Sequence, residues 1–152
     1  MPIRQGKKKY TVDRVMLHTL AVPTNWYKGK SVNDMLLAVR DWHVNGRGWR
    51  AEGYHRIFAP DGTMANGRSL YEIGAGCRLH NRGVIHLTMC NTVKIDEMGD
   101  FEDYYTKATR VAVRDYILEL EELHGSRLKV VGHNEYAPKL CPGFEVVSDE
   151  WS

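Results

Sequence analysis

The 152-residue chain lacks a long apolar run, a strong charge of one sign and more than three cysteines. Its apolar stretches, such as residues 15–17 and 84–87, are far shorter than the roughly 20 residues that span a bilayer. We therefore expect no membrane span. No apolar segment follows the charged N-terminus, so no secretory signal is predicted and the protein should begin in a cytoplasm. A formal charge of +2 also disfavours direct nucleic-acid binding, which usually needs a longer basic stripe.

Length and composition predict one domain. A chain of this size buries about two thirds of its unfolded surface, and 43% hydrophobic with 26% charged residues is ordinary for a globular protein. We predict a single domain over residues 1–152 with a short basic N-terminal segment, Arg4 and Lys7 to Lys9. This segment is interpreted as a solvated tail; the alternative is a contact to anionic wall polymer or to a protein partner.

The three cysteines cannot all pair within one chain, and a reducing compartment disfavours disulfides. At least one thiol should be free. Cys77 and Cys90 are interpreted as small buried hydrophobic residues. Cys141 differs, because other chemically active side chains surround it in the sequence.

Alternating strand and helix patterns predict an α/β fold, a mixed β-sheet flanked by helices. The first helix should begin at the N-cap Ser31 and stop near Gly46, and the second should begin at the N-cap Thr106 and stop at Gly125. A brief helical turn is predicted from Pro138. Strands are predicted over residues 12–19, 54–59, 63–66, 84–89 and 129–132.

Three active groups, His133, Lys139 and Cys141, fall within nine residues near the C-terminus. A thiolate with a neutral imidazole is a zinc-type pairing, and His18 at the end of the first predicted strand could supply a third ligand. Three protein ligands leave the fourth tetrahedral position to water, as a catalytic site requires. Spacing alone is a weak signal here, and the alternative is a partly buried histidine beside an inert thiol.

Four blocks, residues 15–19, 40–49, 52–63 and 133–144, occur in an order and at distances that suggest a known family. In them the chain resembles the zinc-dependent N-acetylmuramoyl-L-alanine amidases of the bacteriophage lysozyme type, which share the fold of the peptidoglycan recognition proteins. The last block is the most specific, since it combines a histidine, Ala-Pro-Lys and Cys-Pro. The resemblance covers nearly the whole chain.

The resemblance implies that His18, His133 and Cys141 bind Zn²⁺ and that Tyr54 and Lys139 line the reacting amide. Strand alternation allows only one of Tyr54 and His55 to face the cleft, and we choose Tyr54. Other histidines are assigned lesser roles: His86 is the rival zinc ligand, His43 packs on a helix, and His80 and His124 lie in a loop and at a helix end.

The implied function is hydrolysis of the amide between N-acetylmuramoyl and L-alanine in peptidoglycan by a phage endolysin. It would remain in the host cytoplasm until a holin-type partner gives access to the wall. Two alternatives stay open: a non-catalytic peptidoglycan-binding module, and an inhibitor of a phage RNA polymerase, a second role of the coliphage enzymes that the chain resembles. Residues 73–83 depart from the family pattern. The resemblance therefore predicts the zinc ligands but not the substrate specificity.

Overall fold

A five-stranded mixed sheet forms the centre of a computed structural model that describes residues 1–49 and 51–152. The elements are, in chain order, the strands β1 (Arg4–Gln5), β2 (Tyr10–Thr11) and β3 (Arg14–Thr19), the helix α1 (Val32–Arg47), the strands β4 (Arg56–Phe58), β5 (Met64–Asn66) and β6 (Val84–Met89), the helices α2 (Phe101–Tyr104) and α3 (Lys107–His124), and the strand β7 (Lys129–Gly132). Short 3-10 turns follow at His133–Glu135 and Ser148–Glu150.

The strand order in this sheet is β5-β4-β6-β3-β7. Strands β4, β6, β3 and β7 run parallel, whereas β5 returns antiparallel to β4 as the predicted hairpin. The predicted α/β class with a mixed sheet and flanking helices is confirmed. Because the carboxyl ends of parallel strands lie at one edge, side chains that follow β3 and β7 meet there.

The helices cover opposite faces of the sheet. Helix α3 packs through Val113 and Ile117 into a cluster that contains Val15 and Leu17 of β3. Helix α1 contributes to a second cluster on the β4–β5 side of the sheet. Successive side chains on a strand alternate between faces. His18 therefore points away from α3.

Helix ends follow local capping chemistry. Ser31 and Asp34 form a reciprocal capping box at the start of α1, and Thr106 caps α3, which ends at Gly125 with φ 90°. The first helix was predicted to stop near Gly46, which is one residue short of its observed end. The helix continues to Arg47, and Gly48 closes it in the left-handed conformation, where its N–H reaches the carbonyls of His43 and Val44.

The interpretation of the basic N-terminal segment as a solvated tail was right about its exposed basic side chains but wrong about the backbone, which forms a hairpin. Strands β1 and β2 pair antiparallel, and Ile3 is only 1% exposed. The Ile3 N–H donates to Nδ1 of His124 at 2.9 Å, and the buried Gln5 amide donates to the carbonyls of Leu70 and Val84. The lysines at positions 7–9 are exposed at the hairpin turn. A role for them in contacting wall polymer or a partner stays a prediction.

Replacement of Ile3 with alanine should destabilise the protein by about 2–4 kcal/mol, the range for emptying a buried aliphatic site. Urea unfolding monitored by circular dichroism measures this change. The matched control is Lys8→Ala on the same hairpin, which should change stability by less than about 0.5 kcal/mol because this lysine is exposed. Equal stability of the two variants would mean that the hairpin does not pack on the domain.

Within the described ranges, no helix is both long and apolar enough to cross a membrane. All three cysteines are free, with Cys77 and Cys90 buried as predicted and Cys141 partly exposed. Cys141 differs from the other two cysteines in that the residue is not fully buried.

Candidate metal centre and active-site cleft

The strand register brings His18 and His133 together. His18 is near the end of β3 and His133 directly follows β7; in the parallel pairing of these strands, Leu17 lies beside Gly132. The next residue on each strand is therefore one of the two histidines. Their ring centroids lie 4.8 Å apart in an edge-on arrangement. Two residues that are 115 positions apart thus become neighbours because their strands are parallel.

Cys141 reaches the same point on a loop fixed by hydrogen bonds. The Asn134 side-chain amide donates to the Phe144 carbonyl at 3.1 Å, and the Tyr105 hydroxyl donates to the Pro142 carbonyl at 2.6 Å. The Thr19 N–H donates to Sγ of Cys141 at 3.2 Å. This sulfur lies 3.9 Å from Nδ1 of His18. The loop therefore presents the thiol to the end of β3.

The helical turn predicted from Pro138 is not present. The helical hydrogen bonding in this part of the chain is instead a 3-10 turn at His133–Glu135, which precedes Pro138. The Glu135 carboxylate accepts the Gly132 N–H at 2.6 Å and closes this turn, while Pro138 lies in a bend. The sequence suggested a bend between His133 and Cys141, and the structure has one, but the helical hydrogen bonding precedes it.

The predicted ligands form one group. The candidate donor atoms of His18, His133 and Cys141 all lie within 4.8 Å of one another. Two imidazole nitrogens and one sulfur are the donor types that suit zinc, and three protein donors leave one position of a tetrahedron open. The residues present therefore fit a metal ion of this kind.

The surroundings favour neutral imidazoles and a protonated thiol. Burial lowers the pKa of His18 well below its ordinary value, and His86 and His133 shift it in the same direction. Burial and the charge of Lys139 lower the pKa of His133, whereas burial raises the pKa of the Cys141 thiol to about 11. Both imidazoles can offer lone pairs near neutral pH, and a metal ion would have to displace the thiol proton.

The group opens into a cleft of about 290 Å³. Tyr54 and Lys139 line this cleft together with His133 and Cys141. The remaining lining residues come from the end of β3, the residues after it and helix α1: Thr19, Leu20, Ala21, Val39, Trp42, His43 and Arg47. All five predicted site residues thus meet at this place, since His18 belongs to the same donor group as His133 and Cys141.

Tyr54 faces the cleft and His55 does not. The Tyr54 ring centroid lies 5.1 Å from that of His18, and burial raises the Tyr54 pKa, which keeps its hydroxyl protonated. His55 is buried. Its Nδ1 accepts the backbone N–H of His86, and its Nε2 contacts the Glu72 carbonyl. The predicted choice between the two agrees with this placement. Tyr54 itself precedes β4, so the strand predicted from residue 54 begins two residues later.

His43 packs as predicted, since its Nδ1 accepts the Gly53 N–H at 2.8 Å. The contact of His86 with His18, by contrast, was not predicted. His86 was weighed as a rival ligand, but its Nδ1 lies 2.8 Å from Nε2 of His18, the ring nitrogen opposite Cys141. Only the pairing of β3 with β6 creates this contact, and the sequence shows the strand patterns without showing which strands pair.

Comparison with known proteins places the chain among its relatives. No protein-family model matches it. The chain is 30% identical to the endolysin of Escherichia phage T7 over 143 residues, which cover 93% of this chain and 87% of that protein. It is 32% identical to the endolysin of Klebsiella phage KP32 over 142 residues, with coverage of 93% and 87%.

Two solved structures share the architecture. Drosophila PGRP-LB superposes with a TM-score of 0.75 at 21% identity and covers 94% of this chain and 81% of its own. The N-acetylmuramoyl-L-alanine amidase LysC from Clostridium intestinale URNW superposes with a TM-score of 0.70 at 17% identity, with coverage of 93% and 83%. At these identities the likeness establishes the fold. Taken with the sequence relatives, it shows that the chain belongs to the phage endolysin family and has the peptidoglycan recognition protein and amidase fold.

Proposed function

We propose that this endolysin is a zinc-dependent N-acetylmuramoyl-L-alanine amidase, which hydrolyses the amide between N-acetylmuramoyl and L-alanine in bacterial peptidoglycan. The observation that carries the proposal is the group formed by His18, His133 and Cys141 at a cleft that also presents Tyr54 and Lys139. Membership of the endolysin family and the fold shared with a named amidase support it.

In this proposal His18, His133 and Cys141 hold the zinc ion. When bound, zinc polarises a carbonyl and lowers the pKa of water toward about 7. The protein supplies the geometry: two strands fix the imidazoles, and the Thr19 N–H orients the sulfur. Because the group borders the cleft, a substrate amide placed there lies beside it.

Lys139 and Tyr54 act on the substrate. Attack on an amide places negative charge on its carbonyl oxygen, and groups already aimed at that oxygen stabilise the transition state. The exposed Lys139 contributes a positive charge at the cleft, and the Tyr54 hydroxyl contributes a hydrogen-bond donor. The proposal leaves three candidates for the group that delivers a proton to the departing nitrogen: Tyr54, Lys139 and a metal-bound water.

The test is hydrolysis of purified peptidoglycan. The protein should release stem peptides that carry a new L-alanine amino terminus while the glycan strands remain uncut, which chromatography with mass spectrometry and an assay of reducing ends measure separately. A zinc chelator should abolish the release, and added Zn²⁺ should restore it. New reducing ends without released peptides would contradict the proposal.

A non-catalytic binding module gives a different result. Such a protein, replete with zinc, would sediment with peptidoglycan and release no peptide over hours. The intact donor group favours the enzyme, since a binding surface has no need of two imidazoles and a thiol directed at one point. Sedimentation and peptide release measured on one sample separate the two functions.

The proposal also covers the domain organisation of the enzyme, its location before lysis and its partner. We infer that residues 1–152 act as a single catalytic domain, that the protein stays in the host cytoplasm until lysis, and that a holin-type partner admits it to the wall. The support is membership of the endolysin family.

A further inference from the structure

His86 lies behind the proposed zinc ligand His18, on the side away from Cys141. It belongs to β6 and is fully buried. Its Nδ1 is 2.8 Å from Nε2 of His18, and in the register of β3 with β6 it lies opposite Met16, two residues before His18. Both histidines therefore project from the same face of neighbouring strands. The contact joins the imidazoles directly, with both nitrogens buried.

The His86 ring is held in place from several sides. On one side it stacks on His55, with an angle of 1° between the planes and 5.7 Å between the centroids. On another side the backbone of residues 74–76 lies against the ring. A Cβ added at Gly76 would come 2.5 Å from Nδ1 of His86, and one at Gly74 would come 2.6 Å from Cδ2. Two glycines thus make the room that this imidazole occupies, and the ring has little freedom to turn.

The hydrogen bond between the rings has a consequence for metal binding. A neutral imidazole carries one proton, so the two histidines can form this bond in two ways. If Nε2 of His18 donates, the lone pair of His18 Nδ1 is free and faces Cys141. If Nδ1 of His86 donates instead, the proton of His18 sits on its own Nδ1 and blocks the metal. The remaining nitrogen of His86, Nε2, has no hydrogen-bond partner among the described residues in either case, so it does not decide between them.

We propose that His86 is a positioning residue that accepts the Nε2 proton of His18 and thereby holds the Nδ1 lone pair of His18 toward the zinc site. The proposal rests on the proposed function in one respect, that His18 binds the metal. Hydrogen bonds of this kind from the free N–H of a ligating histidine fix its tautomer and orientation, and their loss typically weakens metal binding 10- to 100-fold.

The decisive comparison is His86→Leu against His86→Asn. The two replacements have nearly the same shape and leave the same space, but the asparagine places an oxygen acceptor where Nδ1 of His86 was. Zinc affinity measured by competition with a chromophoric chelator should fall about 10- to 100-fold in His86→Leu and stay near that of the unsubstituted protein in His86→Asn. Thermal unfolding of both metal-free variants shows whether each is folded. Equal affinities in two folded variants would overturn the proposal.

A second measurement does not depend on either variant. Long-range ¹H–¹⁵N spectra of the metal-free protein report which ring nitrogen of each histidine carries the proton. We expect His18 to be protonated at Nε2; protonation at Nδ1 would overturn the proposal. Failure here is distinct from failure of the proposed function: the first leaves zinc bound and peptide released in the unsubstituted protein, whereas the second shows neither.

Discussion

Replacement of Cys141 with serine is expected to remove stoichiometric zinc and, with it, peptidoglycan hydrolysis. Serine nearly preserves the size of the side chain but replaces a soft thiolate with a hydroxyl that binds zinc poorly. Loss of a metal that polarises the reacting carbonyl removes several kcal/mol of transition-state stabilisation, which corresponds to at least about a thousandfold in rate. Metal analysis by inductively coupled plasma mass spectrometry and the peptide-release assay measure the two effects.

Cys90→Ser is the matched control. Cys90 is buried in the cluster below α1, and its sulfur contacts the Asn91 carbonyl, not the histidines. This variant should keep one zinc ion per chain and most of the activity. His133→Ala should behave like Cys141→Ser. Stoichiometric zinc retained in either Cys141→Ser or His133→Ala would show that the ligand set is wrong.

The sequence predicted much of the fold because the relevant signals are local. Thr106 caps the start of α3 and the left-handed Gly125 caps its end, and each acts within one turn of the helix. The end of α1 was predicted to within one residue, and the small difference arises because two glycines follow each other closely there. Glycine within a helix costs only about 1 kcal/mol, so Gly46 can be helical when Gly48 supplies the cap.

Features that depend on distant pairing were not predictable in the same way. The packing of the N-terminal hairpin joins Ile3 to His124, which are 121 residues apart, and no local pattern marks that contact. The same holds for His18 and His86, which are 68 residues apart. The five site residues themselves were identified by resemblance to a family, since more than a hundred residues separate His18 from His133 and their spacing alone was ambiguous.

Tyr54→Phe should lower the turnover number about 100- to 1,000-fold, the usual effect of removing one hydrogen-bond donor to a developing oxyanion. Phenylalanine keeps the aromatic packing against His18, so zinc content and thermal stability should not change. Tyr71→Phe, on an exposed tyrosine, is the control for the loss of a hydroxyl. An unaltered turnover number in Tyr54→Phe would show that the Tyr54 hydroxyl takes no part in the reaction and that the residue only packs.

Lys139→Met tests the positive charge at the cleft, with an expected loss of similar size, about 100- to 1,000-fold in turnover. Methionine preserves most of the side-chain length, and zinc should remain bound because Lys139 is not among the donor group. The control is Lys129→Met. That exposed lysine lies at the start of β7, at the opposite end of the strand from His133, so its charge should not affect the reaction. If Lys139→Met and Lys129→Met turn over equally fast, the Lys139 ammonium takes no part in the chemistry, and Tyr54 remains the proposed donor to the oxyanion.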